Sequence, residues 1–279
     1  MSQGKYILLN EKFHASDALL ISSANRSFRY GDGFFETMKY ANGQLVLQQL
    51  HFERLFASLD AMYFKKPFFL SPDFLLNKIN ALIAKNKHKG NVRVRINIFR
   101  GNGGLYDPEN LLANVLIETW DLKPGAWNEN GLVVGFYPDA RKTCDQFSHL
   151  KTNNFLPYSM AALWAKRNQL NDAIVLNQFN RVSDATIANI FIVKDGIVKT
   201  PALSEGCIAG VMRKYLLQKM RAAGIPVQEA IIETTEMEQA AEIFFTNSIY
   251  NIRWVKQVGE NNFTNTFSRQ LWNDLFPIK

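Results

Sequence analysis

The run Ser148-His-Leu-Lys-Thr-Asn-Asn-Phe155 places a single lysine, Lys151, shortly before a predicted helix. Pro157 suits the first turn of this helix, and the apolar residues that follow continue it to about Lys166. A lysine just outside a helix N-terminus feels the positive end of the helix dipole, which disfavours its ammonium form. Such an amine is suited to forming a Schiff base with an aldehyde. The alternative is that Lys151 is an ordinary solvated lysine, as most lysines are.

The composition is that of a globular protein, with 47% hydrophobic and 20% charged residues among 279. This length fits one large domain or two of ordinary size. No apolar run approaches the roughly 20 residues that span a bilayer, and the N-terminus lacks a signal-peptide core. The two cysteines, Cys144 and Cys207, lie far apart. We therefore expect a cytoplasmic protein without a disulfide framework and without a membrane segment.

The formal charge of +7 raises the question of nucleic-acid binding. The densest basic run, residues 85–89, precedes Gly90, where cations complement the C-terminus of a helix. The other basic residues are dispersed, and no nucleic-acid recognition motif is present. The four histidines show no metal-ligand spacing, so no metal is expected. The dispersed positive charge indicates an enzyme that acts on small anions rather than a nucleic-acid-binding protein.

Residues 1–120 are predicted to form a small α/β domain. Its predicted strands are Tyr6–Leu9, Phe34–Tyr40, Gln44–Leu47, Asn91–Arg100 and Asn114–Thr119, and its predicted helices are Leu50–Met62 and Pro72–Lys87. The turn Asn42-Gly43 indicates a hairpin. The segment Asn91–Arg100 alternates strictly, with valines and isoleucines on one face and Arg93, Arg95 and Asn97 on the other. Residues 121–127, which contain Pro124-Gly125, are predicted to link two domains.

Residues 128–279 are predicted to form a larger, cofactor-binding domain. Its predicted strands are Leu132–Phe136, Ala173–Leu176, Ile187–Val193, Ile197–Lys199 and Ile243–Phe245, and its predicted helices are Pro157–Lys166 and Val211–Ala223. Asp195-Gly196 indicates a second hairpin. Thr235 and Glu238 fit the capping box of a further short helix.

Two loops of this chain have sequences suited to ligand binding. Arg100-Gly-Asn-Gly-Gly-Leu-Tyr106 puts an arginine and an adaptable glycine loop at the end of a strand, although it matches no dinucleotide or P-loop fingerprint. Ala209-Gly-Val-Met-Arg213 opens a helix, whose first N–H groups form a natural seat for phosphate. Every helix start offers such groups, so the pattern alone does not require a ligand there.

Two charged residues have an ordinary structural interpretation and a functional one. Arg54 lies away from the apolar stripe of its helix, so periodicity predicts that it is exposed to solvent. Asp184 precedes a predicted buried strand, where an aspartate commonly caps a turn. Only a second layer of structure over that side of the helix would make Arg54 a ligand.

Five segments, taken in chain order, carry the pattern of one enzyme family. They are Tyr30-Gly-Asp-Gly-Phe-Phe-Glu-Thr37, His51–Ser58, the run around Lys151, Val182–Val193 with Thr200-Pro201, and Ala209–Arg213. Together they resemble the class-IV aminotransferases, the fold-type-IV pyridoxal-phosphate enzymes. This family includes branched-chain and D-amino-acid aminotransferases and aminodeoxychorismate lyase. The resemblance extends over nearly the whole chain.

The resemblance implies an α/β (α+β) fold with a small N-terminal domain and a larger, barrel-like C-terminal domain. It also implies pyridoxal 5'-phosphate in a cleft between the domains and a homodimer that completes the site. Lys151 would bind the cofactor covalently and carry the proton between the substrate and the cofactor. Asp184, aligned with a glutamate of the family, would keep the pyridine nitrogen protonated. The expected phosphate ligands are Arg54, the N–H groups of Val211 and Met212, and Asn247 or Ser248.

The substrate is less defined than the cofactor. The expected substrate-binding residues are Phe35, Arg93, Arg95, Arg100 and Tyr106. The main hypothesis is an aminotransferase that acts on a small amino acid and a 2-oxo acid. The alternative is a lyase that releases pyruvate and 4-aminobenzoate from aminodeoxychorismate, although Leu105 stands where those lyases usually have an arginine. The third hypothesis, a catalytically weak pyridoxal-phosphate-binding protein, is motivated by Asp184, which is one methylene shorter than glutamate.

Overall fold

The computed structural model describes residues 2–107 and 109–276, and it divides into two compact units. The first unit runs to Pro124 and also contains Lys151–Asn154. The second unit contains Gly125–Leu150 and the chain from Phe155 onward. The chain therefore enters the second unit, returns for four residues to the first, and leaves again. No pattern in the sequence marks this return.

The first unit is a six-stranded sheet with three helices. Its strands are β1 (Tyr6–Leu9), β2 (Lys12–Ala15), β3 (Gly33–Ala41), β4 (Gln44–Leu45), β5 (Asn91–Phe99) and β6 (Asn114–Leu122), and its helices are α1 (Arg26–Tyr30), α2 (Gln48–Ala61) and α3 (Pro72–Lys85). The strand order is β2-β1-β6-β5-β3-β4, and all of these neighbours are antiparallel.

Local sequence explains most of these elements. Asn42 and Gly43 both have positive φ, 52° and 80°, as a two-residue turn between β3 and β4 requires. Ser71 caps α3, because its side chain accepts a hydrogen bond from the N–H of Phe74 at 3.1 Å. The alternation of β5 is confirmed. Its valines and isoleucines are fully buried in one core with apolar residues of α2 and α3, while the arginines on its other face are half-buried.

The returning segment Lys151–Asn154 lies along the edge of β3. The N–H of Phe35 donates to the carbonyl of Lys151 at 3.0 Å, and the N–H of Asn153 donates to the carbonyl of Gly33 at 2.8 Å. Thr152 forms an antiparallel bridge with Phe34 between them. Backbone hydrogen bonds on both sides of Thr152 thus fix the position of Lys151 relative to β3.

The second unit is built on a nine-stranded sheet. Its strands are β7 (Leu132–Phe136), β8 (Asp172–Leu176), β9 (Val182–Ala185), β10 (Asn189–Lys194), β11 (Ile197–Pro201), β12 (Val227–Ala230), β13 (Glu242–Asn247), β14 (Asn251–Val258) and β15 (Asn261–Asn262). Its helices are α4 (Leu156–Arg167), α5 (Val211–Ala222), α6 (Thr234–Glu238) and α7 (Thr266–Leu275). The order is β12-β11-β10-β13-β14-β7-β8-β9, and β15 pairs with β14.

The sheet of the second unit is curled, as expected for a barrel-like domain. Its last strand in the order, β9, lies against β10 and β11, so the sheet bends back on itself. Apolar side chains from β7, β8, β10, β13 and β14 form one core cluster. Helix α4 packs on β8 and forms a separate cluster, while α5 and α7 contact β13.

Two local predictions in the second unit are wrong. Helix α6 begins at Thr234, and its N-cap is Glu233, which makes no side-chain capping bond, so Thr235 and Glu238 do not form a capping box. Asp184 does not cap a turn, because it lies inside β9 and is 2% exposed. Strand β9 is short and interrupted by polar residues, which is why its sequence reads as a turn.

Candidate active site

The aromatic ring of Phe35 is close to two basic side chains of the first unit. The guanidinium carbon of Arg95 is 3.8 Å from the ring centroid, and the Nζ of Lys151 is 4.9 Å from it. Cation–π contacts of this kind hold a cation over the ring without neutralising it. Three residues predicted to act in the site, Phe35, Arg95 and Lys151, are therefore brought together by β3, β5 and the returning segment.

A second cluster lies on the helix-covered face of the same sheet and contains Glu36, His51 and Arg54. Glu36 is 1% exposed, and its carboxylate accepts hydrogen bonds from the Nε and Nη2 of Arg54, each at 2.7 Å. The Nδ1–H of His51, which is fully buried, donates to Glu36 at 2.7 Å. The Arg54 side chain is 14% exposed. The prediction that Arg54 points into solvent is therefore wrong, because Glu36 on β3 draws it inward.

The protonation states of this cluster follow from its partners. Burial raises the pKa of Glu36, but the charge of Arg54 and the hydrogen bonds from His51 and Arg54 outweigh burial and lower it from 4.5 to about 2. Burial lowers the pKa of His51, against the opposing effect of Glu36. At neutral pH the cluster thus contains an anionic Glu36, a neutral His51 and a cationic Arg54.

The other face of the sheet carries several positive charges. Lys39 pairs in register with Arg93, and Arg95 pairs with Glu118 on β6. Burial lowers the pKa of Lys39 from 10.5 to about 8, so this lysine is still largely protonated at pH 7. Burial raises the pKa of Glu118, against the charges of Arg95 and Arg93. This face has more positive than negative groups, which suits an anionic ligand.

The two loop residues predicted to bind substrate lie in different surroundings. Arg100 is 7% exposed and bonds to the carboxylate of Asp32 and to the carbonyl of Met62, each at 2.5 Å. Its guanidinium carbon is also 4.1 Å from the centroid of the Phe64 ring. The side chain of Tyr106 is 93% exposed. The structure does not bring these two residues together, and their contact with a substrate stays a prediction.

In the second unit, Asp184 is a buried carboxylate at the centre of a hydrogen-bond network. The hydroxyl of Tyr158 and the N–H of Ile208 each donate to Oδ2 at 2.8 Å, and the Nδ2 of Asn189 donates to Oδ1 at 2.9 Å. The Nζ of Lys142 lies 3.5 Å from Oδ2. Burial, together with the negative charge of Asp184, raises the pKa of Tyr158 well above 10. Tyr158 is therefore a phenol that donates to the carboxylate.

Asn189 connects Asp184 with the start of α5. Its Nδ2 also donates to the carbonyl of Ile208 at 2.7 Å. The N-cap of α5 is Gly210, and a side chain at that position would collide with the Asn189 side chain. Because glycine has no side chain, it cannot cap the first turn that contains Val211 and Met212. The predicted phosphate site is thus the start of a helix whose N-cap residue makes no side-chain capping bond.

The end of β13 and the turn that follows it contain the other two predicted phosphate ligands. Asn247 accepts hydrogen bonds at its Oδ1 from the N–H groups of Ile249 and Tyr250, at 3.0 and 2.8 Å, and its Nδ2 donates to the carbonyl of Ile187 at 3.2 Å. Asn247 therefore shapes the turn, and Ser248 follows it in a half-buried position. Which of the two contacts a phosphate stays a prediction.

Several residues of these clusters were not predicted to have a role. They are Glu36, His51, Lys142, Tyr158 and Asn189. Glu36 and His51 stand inside the family segments quoted from the sequence, so their position there was a usable signal. Asn189 follows Asp184 by five residues in another such segment. Lys142 and Tyr158 carried no local signal, because their relation to Asp184 depends on the tertiary fold.

The chemistry of these side chains fits pyridoxal phosphate. The cofactor requires an amine for its aldehyde, a carboxylate for its pyridine nitrogen, and cations with N–H groups for its phosphate. Lys151, Asp184, Arg54 and the start of α5 supply these types of group. Among the described residues, no group of three or more His, Cys, Asp or Glu could hold a metal ion. None of the helices in the described part of the chain is long and apolar enough to cross a bilayer.

Comparisons with known proteins agree with this chemistry. The chain is 33% identical to an aminodeoxychorismate lyase of Vibrio harveyi over 234 residues, which is 82% of this chain and 83% of the relative. It is 25% identical to a D-alanine aminotransferase of Listeria innocua over 88% of this chain and 85% of the relative. A branched-chain aminotransferase structure from Thermoproteus uzoniensis matches 97% of this chain and 93% of that one, with a TM-score of 0.87 and 22% identity.

The last of these comparisons bears on the fold, since its sequence identity is low. The structural likeness confirms the predicted two-domain fold of the fold-type-IV enzymes. The family model "Amino-transferase class IV" matches residues 33–258, which include β3, α2, Lys151, Asp184 and the start of α5. The members of this family are pyridoxal-phosphate-dependent aminotransferases or aminodeoxychorismate lyases, so the prediction of an enzyme is confirmed. This chain belongs to the class-IV aminotransferase family.

Proposed function

We propose that this chain binds pyridoxal phosphate through Lys151 and transfers an amino group between a small amino acid and a 2-oxo acid. The observation that carries the proposal is the fixed position of Lys151. Its backbone carbonyl accepts from Phe35, and its Nζ lies 4.9 Å from the Phe35 ring centroid. A reactive amine that is anchored in this way by β3 can act repeatedly at the same atom of a bound substrate.

The chain's own residues have distinct roles in this proposal. When bound, the cofactor supplies an aldehyde and a ring that withdraws electrons from the substrate Cα. Lys151 removes the proton from Cα and returns it as a general base and acid. Asp184 holds a proton on the pyridine nitrogen, and Tyr158, Asn189 and the Ile208 N–H hold Asp184. Arg54, the N–H groups of Val211 and Met212, and Asn247 or Ser248 bind the phosphate.

The network around Asp184 supports its role despite its short side chain. An aspartate reaches less far than the glutamate usual in the family, so its backbone must be placed accurately. Asp184 lies in the middle of β9, and both of its oxygens accept hydrogen bonds from groups of its own unit. A carboxylate held in this way is fixed in position, as a partner of a pyridinium must be.

Aminodeoxychorismate lyase activity is the second candidate. It is favoured by the 33% identity to the lyase of Vibrio harveyi. It is also favoured by the cationic face that contains Lys39, Arg93 and Arg95, because aminodeoxychorismate carries two carboxylates. Both activities begin with proton removal by Lys151 at Cα. They differ in whether the proton is returned to the cofactor or a substituent leaves the neighbouring carbon.

The decisive experiment is a substrate panel with the purified protein loaded with pyridoxal phosphate. Conversion of the cofactor to its pyridoxamine form by an amino acid indicates the aminotransferase. Release of pyruvate and 4-aminobenzoate from aminodeoxychorismate indicates the lyase. Bound cofactor without turnover of any substrate leaves the third hypothesis, a catalytically weak binding protein. We also propose that the enzyme is cytoplasmic and acts as a homodimer. Sedimentation of the protein loaded with pyridoxal phosphate tests whether it is a dimer.

Replacement of the lysine tests the core of the proposal. Lys151→Ala should remove both turnover and the visible absorbance of the lysine-bound cofactor, because it removes the amine that lies 4.9 Å from the centroid of the Phe35 ring. Lys166→Ala, at an exposed position in the last turn of α4, is the matched control and should behave like the unmodified protein. An unchanged absorbance in Lys151→Ala would contradict the assignment.

A further inference from the structure

We propose that Glu36 and His51 are positioning residues that orient the Arg54 guanidinium toward the phosphate of the cofactor. Neither touches the reacting atoms. This inference rests on the proposed function, since it assumes that Arg54 binds the cofactor phosphate. The further inference is that the orientation of Arg54 depends on the buried carboxylate of Glu36 and the buried imidazole of His51, both in the first unit.

The geometry of the Glu36–Arg54 pair fixes the guanidinium in a plane. Both contacts are 2.7 Å long and involve the Nε and Nη2 atoms, which form one edge of the group. A two-point bond of this kind removes rotation about the last torsions of the arginine side chain. The Nη1 edge is consequently turned away from Glu36, in a direction that the carboxylate determines.

His51 fixes Glu36 in turn, and it does so without adding a charge. Its Nδ1 lies 2.7 Å from the same oxygen, Oε2, that accepts from the Nη2 of Arg54. Because burial keeps the imidazole neutral, His51 does not compete with Arg54 for the negative charge of Glu36. Within the described residues, its Nε2 is buried without a hydrogen-bond partner, so the bond to Glu36 is the one polar bond of its ring.

A contribution to folding stability does not by itself explain why Glu36, His51 and Arg54 form a buried cluster. A buried ion pair contributes no more to folding than well-packed apolar residues of similar volume, since desolvation offsets the attraction. The three residues also come from two elements, with Glu36 on β3 and the others one turn apart on α2. A carboxylate that faces the helix side of a sheet is therefore better explained by what it does to Arg54 than by its own contribution to folding.

The test compares two ligands that differ only in the phosphate. Pyridoxal phosphate and pyridoxal are titrated into the protein, and binding is followed by the visible absorbance of the lysine-bound form. The unmodified protein should prefer pyridoxal phosphate. Glu36→Gln should lose about 10- to 100-fold of that preference, the range expected for one misdirected charge-assisted contact. Its affinity for pyridoxal should change less than about twofold, because Lys151 is untouched.

A double-mutant cycle separates positioning from a general structural effect. In an Arg54→Gln background, Glu36→Gln should cause no further loss of preference, since Glu36 acts through Arg54. His51→Asn retains a donor near the position of Nδ1 and should stay close to the unmodified protein, whereas His51→Leu should lose part of the preference. Asp60→Asn, which changes an exposed carboxylate of the same helix, is the control.

The outcomes distinguish this inference from the proposed function. Failure of the unmodified protein to form the lysine-bound absorbance contradicts the proposed function itself. If that absorbance forms but Glu36→Gln weakens both ligands equally, or neither, the positioning role is wrong. Should Glu36→Gln not fold, the His51→Asn and His51→Leu pair gives the same comparison, and equal preferences in these two variants overturn the inference.

Discussion

Two buried carboxylates, Glu36 of the first unit and Asp184 of the second, are held in opposite ways. Glu36 in the first unit accepts from a guanidinium at two points and from an imidazole, all on helix α2. Asp184 in the second unit accepts from a phenol, an amide and a backbone N–H, which lie on α4, on β10 and before α5. One carboxylate is thus paired with a cation, while the other is held mainly by neutral donors.

This difference matters because it determines what each carboxylate can offer to a ligand. The charge of Glu36 is opposed directly by Arg54, so the pair as a whole is neutral and serves to orient the arginine. Asp184 has the Nζ of Lys142 at 3.5 Å, and its donors Tyr158, Asn189 and the Ile208 N–H, at 2.8 to 2.9 Å, are uncharged. Neutral donors keep a buried carboxylate ionised and leave its field available to a protonated ring. In the proposed function, Glu36 orients Arg54, whereas Asp184 itself contacts the cofactor.

The largest expected effect is on the free energy of unfolding, which should fall more when Glu36 is removed than when Asp184 is removed. Glu36→Ala should lower the free energy of unfolding by about 3–5 kcal/mol, because it strands a buried guanidinium and an imidazole. Asp184→Ala should cost about 1–3 kcal/mol, since most of the donors it strands are neutral. Urea denaturation followed by circular dichroism measures both, with Asp60→Ala as the exposed control. Equal losses would mean that the ionic character of the Glu36 cluster does not matter.

Acid should affect the Glu36 cluster at a defined pH. Its folded pKa of about 2 lies below the ordinary value of 4.5, so its contribution is present above pH 4.5 and is lost as the pH falls toward 2. Between pH 5 and pH 3, the unmodified protein should lose about 2 kcal/mol more unfolding free energy than Glu36→Gln. Parallel urea curves at the two pH values measure this. Identical pH dependence in both proteins would show that Glu36 is not ion-paired in solution.

The smallest expected effect comes from removing one of the hydrogen bonds that Asp184 accepts. Tyr158→Phe removes one hydrogen bond from the carboxylate and leaves the bonds from Asn189 and Ile208 in place. The unfolding free energy should fall by about 1 kcal/mol. Thermal melting monitored by circular dichroism detects the change, and Tyr63→Phe at an exposed position is the matched control. A loss equal to that of Asp184→Ala would mean that Tyr158 alone holds the carboxylate.

Much of the fold was predictable because it rests on local patterns. The alternation of β5, the Asn42-Gly43 hairpin and the helix that begins at Val211 all follow from neighbouring residues, and the structure confirms them. Strand β9 was not predictable from pattern, because two of its four residues, Ser183 and Asp184, are polar, and their burial depends on contacts with β8, β10 and β11. Local periodicity reports the face of an element, and it does not report which element will cover that face.

The same limit applies to the candidate site. Periodicity assigned Arg54 to solvent because it considers α2 alone, whereas Glu36 on β3 determines where the side chain lies. The segments that resemble the family contain Lys151, Asp184 and the start of α5, and the roles of these residues stay predictions. They did not indicate Lys142 or Tyr158, since those residues meet Asp184 only after β8, β9 and α4 have packed.

The return of Lys151–Asn154 to β3 has a consequence for the order in which the protein is completed during translation. Until the ribosome has released this segment, the N–H of Phe35 and the carbonyl of Gly33 lack the partners they have in the finished structure. A ribosome-bound fragment ending at Pro124 therefore exposes an unfinished sheet edge, which is a site for pairing with other chains. Synthesis of residues 151–154 supplies the partners of these backbone groups and removes the exposed edge.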